Sequence, residues 1–237
     1  MNFIFDLDGT LIDSALGIYY SLDLTIRQVF LDIDPGTLDL KIGPFPREIM
    51  SKAIRGVTEQ ELNELEVTFD RVYSSEGWKM AALYPQVRET LGELTQRDIH
   101  IYLVTNKLRL PTGLILSYFG LAPFFLEIAC PDSHIPTFKN KTESLQYLLN
   151  RCNLNADESI YIGDSPDDLS SAKACGIAFI GLQYGYGTFH NIERSIPILN
   201  SFQELLETNI FRSHMQKIIC GGTFPLVVKD ISNSHQR

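Results

Sequence analysis

The sequence has few of the side chains that build redox or metal centres from sulfur and imidazole. It contains four cysteines and five histidines in 237 residues. No two cysteines form a Cys-x-x-Cys pair, and no histidine lies at a spacing typical of zinc ligands. A zinc-finger fold and a disulfide-stabilised fold are therefore excluded, and we expect free thiols in a reducing cytoplasm.

The sequence also lacks an excess of basic charge and a long hydrophobic run. Its formal net charge of −9 argues against nucleic acid as a general partner, because binding to phosphate backbones relies on lysine and arginine. No apolar run approaches the roughly 20 residues that span a membrane, and no basic start followed by an apolar segment indicates a signal peptide. We therefore expect a cytoplasmic protein without a membrane partner. The pattern does not indicate an oligomeric state.

An acidic motif lies almost at the start of the chain. The apolar run Phe3–Phe5 leads into Asp6 and Asp8, and then into Gly9 and Thr10. A short apolar run bounded by a turn signal predicts a buried strand, and open α/β sheets bind ligands at the carboxyl ends of their strands. Two neighbouring carboxylates favour a bound divalent cation or a shared proton. Taken alone, the motif is also compatible with a strand that ends in a polar turn.

The rest of the sequence divides into a helical part and an alternating part. Between residues 14 and 80 apolar residues recur at helical spacing with no strand pattern. From residue 81 to residue 210, strand-like runs alternate with helical patterns, which is typical of a mostly parallel sheet with helices on both faces. We predict a Rossmann-like α/β core of residues 1–13 and 81–210, a helical cap of residues 14–80, and a tail of residues 211–237 with a candidate edge strand at Phe224–Val228.

Polar residues follow two further predicted strands. Thr105, Asn106 and Lys107 come after one apolar run, and the stretch 163–168, with its aspartates, comes after another. Because the carboxyl ends of parallel strands meet at one edge of a sheet, we expect these side chains to lie near the acidic motif. A lysine close to a helix start, at position 139 or 141, completes the set. Any one of these features arises by chance, but all four in this order form a specific signal.

The four motifs together resemble those of the haloacid dehalogenase superfamily of phosphohydrolases. The closest likeness is to phosphoglycolate-phosphatase-like members with a helical C1-type cap, and it covers residues 1–210. The segment Tyr84–Val87 resembles the return from cap to core, although the family more often has glycine at the position of Gln86. The motifs are Asp6-Leu7-Asp8-Gly9-Thr10, Thr105-Asn106-Lys107, the lysine near 139–141, and Gly163-Asp164-Ser165-Pro166-Asp167-Asp168.

The resemblance implies a covalent mechanism. Asp6 would be the nucleophile that forms an aspartyl-phosphate. Asp8 would protonate the leaving oxygen and later take a proton from the attacking water. Asp6, the backbone carbonyl of Asp8, and Asp164 would hold Mg²⁺, with Asp168 orienting the metal shell.

The resemblance also implies how phosphate is held. Thr105, Asn106, Gly9 and Thr10 would bind phosphate oxygens through hydroxyl and backbone N–H groups. Family members place the charge-neutralising lysine at the position of either Lys139 or Lys141.

We favour Lys141 as that lysine, because it stands where the helix pattern begins, and interpret Lys139 as a surface charge. Arg47 from the cap and Lys107 from the core are each either a substrate contact or a plain surface cation.

The resemblance therefore predicts a Mg²⁺-dependent phosphatase for a small phosphorylated metabolite, with 2-phosphoglycolate as the leading candidate. A phosphomutase similar to β-phosphoglucomutase shares every motif, and a nucleotidase or a pyrophosphatase also stays open. A haloalkanoate dehalogenase is disfavoured because such enzymes usually lack the second aspartate, here Asp8. The intact acidic set disfavours a non-catalytic binding module.

Overall fold

The computed structural model describes residues 1–190 and 192–208. The predicted tail at residues 211–237, with its candidate strand Phe224–Val228, lies outside these residues. Within the described residues the chain forms a six-stranded sheet, a two-stranded ribbon and seven α-helices.

The large sheet is built from short apolar runs. In chain order the strands are β1 Asn2–Phe5, β2 Ile12–Asp13, β3 Ala82–Leu83, β4 His100–Val104, β5 Glu127–Ala129, β6 Ser159–Gly163, β7 Ala178–Leu182 and β8 Ile198–Leu199. The sheet has the order β5-β4-β1-β6-β7-β8, and every neighbouring pair is parallel. The strands β2 and β3 form a separate antiparallel ribbon. A parallel strand covered on both faces is apolar at every position, as β1 is from Phe3 to Phe5.

Helices cover both faces of this sheet. They are α1 Ala15–Val29, α2 Pro46–Ala53, α3 Glu59–Ser75, α4 Val87–Gln96, α5 Arg109–Tyr118, α6 Lys141–Arg151 and α7 Pro166–Ala174. Successive strand residues point to opposite faces. Phe3 and Phe5 accordingly share a core with α4 and α5, whereas Ile4 packs among residues of α6 and α7. The predicted α/β fold is thereby confirmed. In the part of the chain that the structure describes, no helix is long and apolar enough to cross a bilayer.

The helices α1, α2 and α3 form a helical insertion between β2 and β3. They surround an apolar cluster of their own, which includes Leu22, Met50 and Leu65. The ribbon of β2 and β3 joins the points at which the chain leaves and re-enters the sheet region. The domain boundaries at residues 13 and 80 stay a prediction. "Helical insertion" hereafter means residues 14–80.

Two local sequence signals led to different outcomes. The stretch Thr58-Glu59-Gln60-Glu61 has the sequence pattern of a capping box, and it opens α3 with both reciprocal hydrogen bonds. The stretch Ser201-Phe202-Gln203-Glu204 has the same pattern, but it opens the short 3₁₀ helix Phe202–Glu207, and the Ser201 side chain makes no capping bond there. Gln86 has a φ of 61°, in the left-handed region that favours glycine, which explains why glycine is the usual residue in the resembling segment.

Candidate active site

The candidate site lies where the carboxyl ends of three adjacent strands meet. β1 pairs with β4 on one side and with β6 on the other, so the residues that follow these strands are neighbours. Asp6 and Asp8 follow β1, Thr105 follows β4, and Asp164 follows β6. The convergence predicted from the sequence is therefore a direct product of the parallel sheet.

Lys141 lies at the centre of the buried acidic residues. Its Nζ is 3.0 Å from Asp6 Oδ1 and 2.6 Å from Asp168 Oδ1. All three residues are buried, with Asp6 only 4% exposed. Burial raises the pKa of Asp6 well above its ordinary value, although the charge of Lys141 lowers it in part. Burial by itself would lower the pKa of Lys141, but the neighbouring carboxylates raise it well above its usual range.

The start of α6 decides which of the two candidate lysines enters the site. Asn140 is the N-cap of this helix, and its side chain accepts a hydrogen bond from the backbone N–H of Glu143. Lys141 is then the first helical residue and points into the sheet edge. Lys139 is exposed, and its backbone N–H donates to the Glu143 carboxylate at 2.8 Å. The geometry brings Lys141, and not Lys139, to Asp6.

Asp164 is held by backbone groups from the loop after β7. Its Oδ2 accepts from the N–H groups of Tyr186 at 2.6 Å and Gly187 at 3.3 Å. A Cβ at Gly185 would collide with the Asp164 side chain, so glycine permits this close approach. Burial, followed by the charge of Asp168, raises the pKa of Asp164 to about 6. Sequence reasoning missed this loop, although the glycines at positions 185 and 187, shortly after β7, were a usable signal.

The predicted phosphate contacts of Gly9 and Thr10 are not supported by the geometry. The N–H of Gly9 donates to Ile12 O, and the N–H of Thr10 donates to Leu7 O. The Thr10 hydroxyl donates to Asp164 Oδ1 at 3.3 Å. Gly9 has a φ of 81°, and a Cβ there would collide with the Asp164 carboxylate. Their donors are used inside the turn and on Asp164, so these residues shape the acidic site, and their contact with phosphate stays a prediction.

Three buried carboxylates form a candidate metal site. Asp6, Asp164 and Asp168 each offer one oxygen, and these oxygens lie within 4.8 Å of one another. Asp168 is fully buried and also accepts hydrogen bonds from the N–H and the hydroxyl of Ser165. Within the described residues, Lys141 is the only cation paired with this trio. Hard oxygen ligands with excess negative charge suit Mg²⁺. The trio contains the predicted ligands Asp6 and Asp164 and brings in Asp168, which was predicted only to orient the metal shell.

Asp8 is less buried than Asp6 and has different partners. Its side chain is 20% exposed, and Lys107 Nζ lies 3.2 Å from its Oδ1. The Ser14 hydroxyl donates to the same oxygen, and Tyr186 contacts the Ser14 amide through its own hydroxyl at 2.6 Å. The Lys107 ammonium also lies over the ring of Tyr73, 3.9 Å from its centroid. Sequence reasoning missed Ser14, Tyr73 and Tyr186, because none lies in a motif.

Thr105 and Asn106 lie beside these groups at the end of β4. Thr105 is fully buried, and its hydroxyl accepts from the N–H of Lys107 at 3.1 Å. Asn106 has a buried side-chain oxygen without a hydrogen-bond partner among the described residues. Buried polar atoms are normally satisfied, so this one marks a position where a ligand or a water supplies the partner.

A cavity of about 1010 Å³ separates these residues from the helical insertion. Its floor includes Asp6, Asp8 and Lys141, and its roof comes from α2 and α3. Arg47 lines the roof, where it pairs with Glu59 at 2.5 Å and with Glu66 at 3.1 Å. Arg47 and Lys107, which the sequence left as either substrate contacts or surface cations, are thus both paired with carboxylates of the protein.

Comparison with known proteins decides the family. Residues 3–182 match the family described as haloacid dehalogenase-like hydrolase. This chain belongs to the haloacid dehalogenase-like hydrolases. The resemblance predicted from the four motifs is confirmed, and so is the enzyme class, a phosphatase that hydrolyses phosphoric monoesters.

Two curated relatives carry the same name. The chain is 32% identical over 216 residues to a phosphoglycolate phosphatase of Vibrio vulnificus, with 86% of this chain and 93% of the relative covered. It is 30% identical to a phosphoglycolate phosphatase of Haemophilus influenzae, with 85% and 95% covered. The likeness therefore extends over nearly the whole of each relative.

Solved structures share the fold over similar lengths. The crystal structure of a predicted phosphoglycolate phosphatase from Haemophilus somnus matches with a TM-score of 0.71 and 28% identity, covering 86% of this chain and 96% of that one. A predicted phosphatase from Clostridium acetobutylicum matches with a TM-score of 0.77 at 24% identity, covering 92% and 97%, and supports the fold alone.

Proposed function

We propose that this phosphatase is Mg²⁺-dependent and hydrolyses a small phosphomonoester through a phosphorylated Asp6. The observation that carries the proposal is the buried Asp6 carboxylate, fixed at 3.0 Å by Lys141 at the floor of a cavity. An oriented carboxylate in a site with little water is suited to nucleophilic attack on phosphorus. Splitting hydrolysis into two displacements lowers the barrier of each.

Asp8 is the group placed for proton transfer. It lies two residues beyond the nucleophile, lines the same cavity and keeps partial contact with solvent. In the first step it donates a proton to the leaving oxygen as the bond to phosphorus breaks, and in the second it accepts one from the attacking water. Different burial of two nearby carboxylates is a common way to give them different roles.

Asp6, Asp164 and Asp168 fit a divalent cation by their oxygen ligands and their uncompensated charge. When bound, Mg²⁺ offsets the repulsion between the carboxylates and the substrate phosphate. Lys141 keeps Asp6 oriented, and Thr105 with the Asn106 backbone is placed to hold phosphate oxygens at the end of β4.

The names of the curated relatives favour 2-phosphoglycolate as the substrate. The roofed cavity supports a small metabolite, because the helical insertion covers the sheet edge. Arg47 and Lys107 already pair with carboxylates of the protein, so neither cation adds support for an acidic substrate. A cytoplasmic location remains part of the proposal. In the described residues, Cys130, Cys152 and Cys175 are free thiols, as expected for a reducing compartment.

A substrate panel with the purified protein tests this function. Turnover of 2-phosphoglycolate, neutral sugar phosphates, p-nitrophenyl phosphate and phosphopeptides is compared with Mg²⁺ and with excess chelator. We expect small esters to be preferred over phosphopeptides, and activity to disappear with chelator and return with Mg²⁺. Undiminished activity in chelator would contradict the metal, and a preference for phosphopeptides would contradict the size class.

A further inference from the structure

Lys107 occupies a position that a role in substrate binding does not explain. Its side chain is 8% exposed, and its Nζ lies between Asp8 Oδ1 at 3.2 Å and the centroid of the Tyr73 ring at 3.9 Å. A buried ammonium persists only where opposite charge or an aromatic face replaces the water that it has lost. Both replacements here belong to the protein, so this ammonium is not free to bind a ligand.

The two partners of Lys107 come from different parts of the fold. Asp8 follows β1 of the sheet, whereas Tyr73 belongs to α3 of the helical insertion. Tyr73 is only 2% exposed. Its ring face covers the Lys107 ammonium, and its hydroxyl also interacts with that ammonium. The contact therefore joins the insertion to the sheet edge.

The contacts of Asp8 fix one of its two carboxylate oxygens. The Lys107 ammonium and the Ser14 hydroxyl both approach Oδ1. Over the described ranges no hydrogen bond or ion pair is formed to Oδ2. Asp8 lines the cavity, so holding Oδ1 leaves Oδ2 as the oxygen that can meet a substrate or a water.

We propose that Tyr73 and Lys107 are positioning residues that make the orientation of Asp8 depend on closure of the helical insertion. The Tyr73 ring seats the Lys107 ammonium against Asp8 while α3 covers the sheet edge. When α3 moves away, water replaces the ring, the ammonium is no longer confined, and Asp8 can rotate. Lys107 stays protonated throughout, and it neither makes nor breaks a bond. This rests on the proposed acid–base role of Asp8.

A pair of variants at one position tests the ring. Tyr73→Leu removes the aromatic face, whereas Tyr73→Phe keeps it and removes only the hydroxyl. Steady-state kinetics of the full chain with Mg²⁺ use an alkyl phosphate, whose leaving group needs a proton, and p-nitrophenyl phosphate, whose phenolate departs without one. For Tyr73→Leu we expect kcat on the alkyl ester to fall about fivefold to tenfold, as a desolvated cation–π contact indicates. KM should change little, and the loss with p-nitrophenyl phosphate should be smaller. Tyr73→Phe should lose less than Tyr73→Leu, because it keeps the ring over the Lys107 ammonium.

Two further variants separate positioning from general damage. Lys107→Met should lower kcat on the alkyl ester about a hundredfold, within the range of acid–base catalysis. Adding Tyr73→Leu to it should cost no more, because the ring then has no ammonium to seat. Tyr118→Leu is the matched control. Its ring in α5 contacts that of Trp78 in the insertion, with the two ring centroids 6.0 Å apart and no ammonium involved. This control should leave the ratio of the two kcat values unchanged.

Several results would overturn the proposal. Equal kinetics of Tyr73→Leu and Tyr73→Phe would show that the ring has no role. A higher KM with unchanged kcat in Lys107→Met would identify a substrate contact, and additive losses in the double variant would show independent effects. If Lys107→Met does not fold, the comparison of the two Tyr73 variants decides. An active wild type with unaffected variants overturns the coupling alone, whereas a wild type that hydrolyses no phosphate ester overturns the proposed function as well.

Discussion

Two buried lysines flank the aspartate pair, and they are held by different parts of the molecule. Lys141 contacts Asp6, which follows β1, and Asp168, which lies in the first turn of α7, the helix after β6. Lys107 contacts Asp8 and the Tyr73 ring, and Tyr73 belongs to the helical insertion. In the proposed mechanism, the nucleophile side of the site is therefore built without the insertion, whereas the acid–base side also depends on it. The proposed roles would place charge alignment on the rigid sheet region and proton transfer next to the helical insertion.

The largest expected effect is on the nucleophile side. Asp6→Asn should abolish turnover, because an amide cannot form the phosphorylated intermediate. Asp8→Asn should keep some activity, with kcat lowered about 10²-fold to 10⁴-fold, because the change removes the proton-transfer group and leaves the nucleophile in place. Phosphate release measures both, with circular dichroism as a check on folding. Full activity of Asp6→Asn would contradict the assignment.

The second expected effect compares the two candidate lysines at the start of α6. Lys141→Ala should lower kcat about 10²-fold to 10³-fold, as expected for the loss of a buried electrostatic partner. Lys139→Ala should be close to the wild type, because Lys139 is exposed. Steady-state kinetics on one substrate provide the comparison. The reverse ranking would assign the motif lysine to position 139.

The third expected effect concerns the turn after β1, where the predicted phosphate contact was not supported. Thr10→Val removes the hydroxyl that donates to Asp164. We expect the Mg²⁺ concentration for half-maximal activity to rise about tenfold, in line with the loss of a hydrogen bond to a metal ligand, with KM for the ester unchanged. Thr25→Val is the control, since the buried Thr25 hydroxyl has no partner among the described residues. A rise in KM alone would restore the phosphate-binding role.

The smallest expected effect is on stability, and it contrasts the insertion with the sheet edge. At the sheet edge, the buried carboxylate of Asp168 forms an ion pair with Lys141. In α3 of the insertion, burial raises the pKa of Asp70 from its ordinary 3.8 to about 6. A raised carboxyl pKa means that the folded state binds the proton more tightly, so the folded protein loses stability as the pH rises from about 4 to about 6. Asp70 is partly exposed, so after solvent screening this loss is about 1 kcal/mol.

Asp70→Asn should therefore raise the free energy of unfolding by about 1 kcal/mol at pH 7, and the gain should vanish near pH 4. Denaturant titrations from pH 4 to pH 7 measure the difference. Glu64→Gln, at an exposed position of the same helix, is the control. A gain that is equal at both pH values would show that the charge of Asp70 is not its cause.

Much of the fold and part of the site followed from local sequence patterns. The apolar run of β1 and the periodicity of α3 predicted elements that the structure contains, because burial selects residue type at every second or every third to fourth position. The acidic motifs lay directly after strands, and a parallel sheet brings such positions to one edge. The sequence by itself therefore determined the family, the core architecture and the meeting of Asp6 with Asp164.

Other parts of the site were decided only by the tertiary structure. Tyr73 reaches the site from a helix and Tyr186 from a loop, and both are far along the chain from their partners Lys107 and Asp164. Ser14, at the start of α1, is only six residues from Asp8, but no sequence motif indicates its contact. The sequence also did not show that the Thr10 hydroxyl would donate to Asp164. Partners of this kind depend on which side chains packing brings within about 3 Å, the distance at which a hydrogen bond forms. Sequence patterns report burial and backbone conformation, whereas the choice among nearby donors and acceptors is made only once the elements have packed.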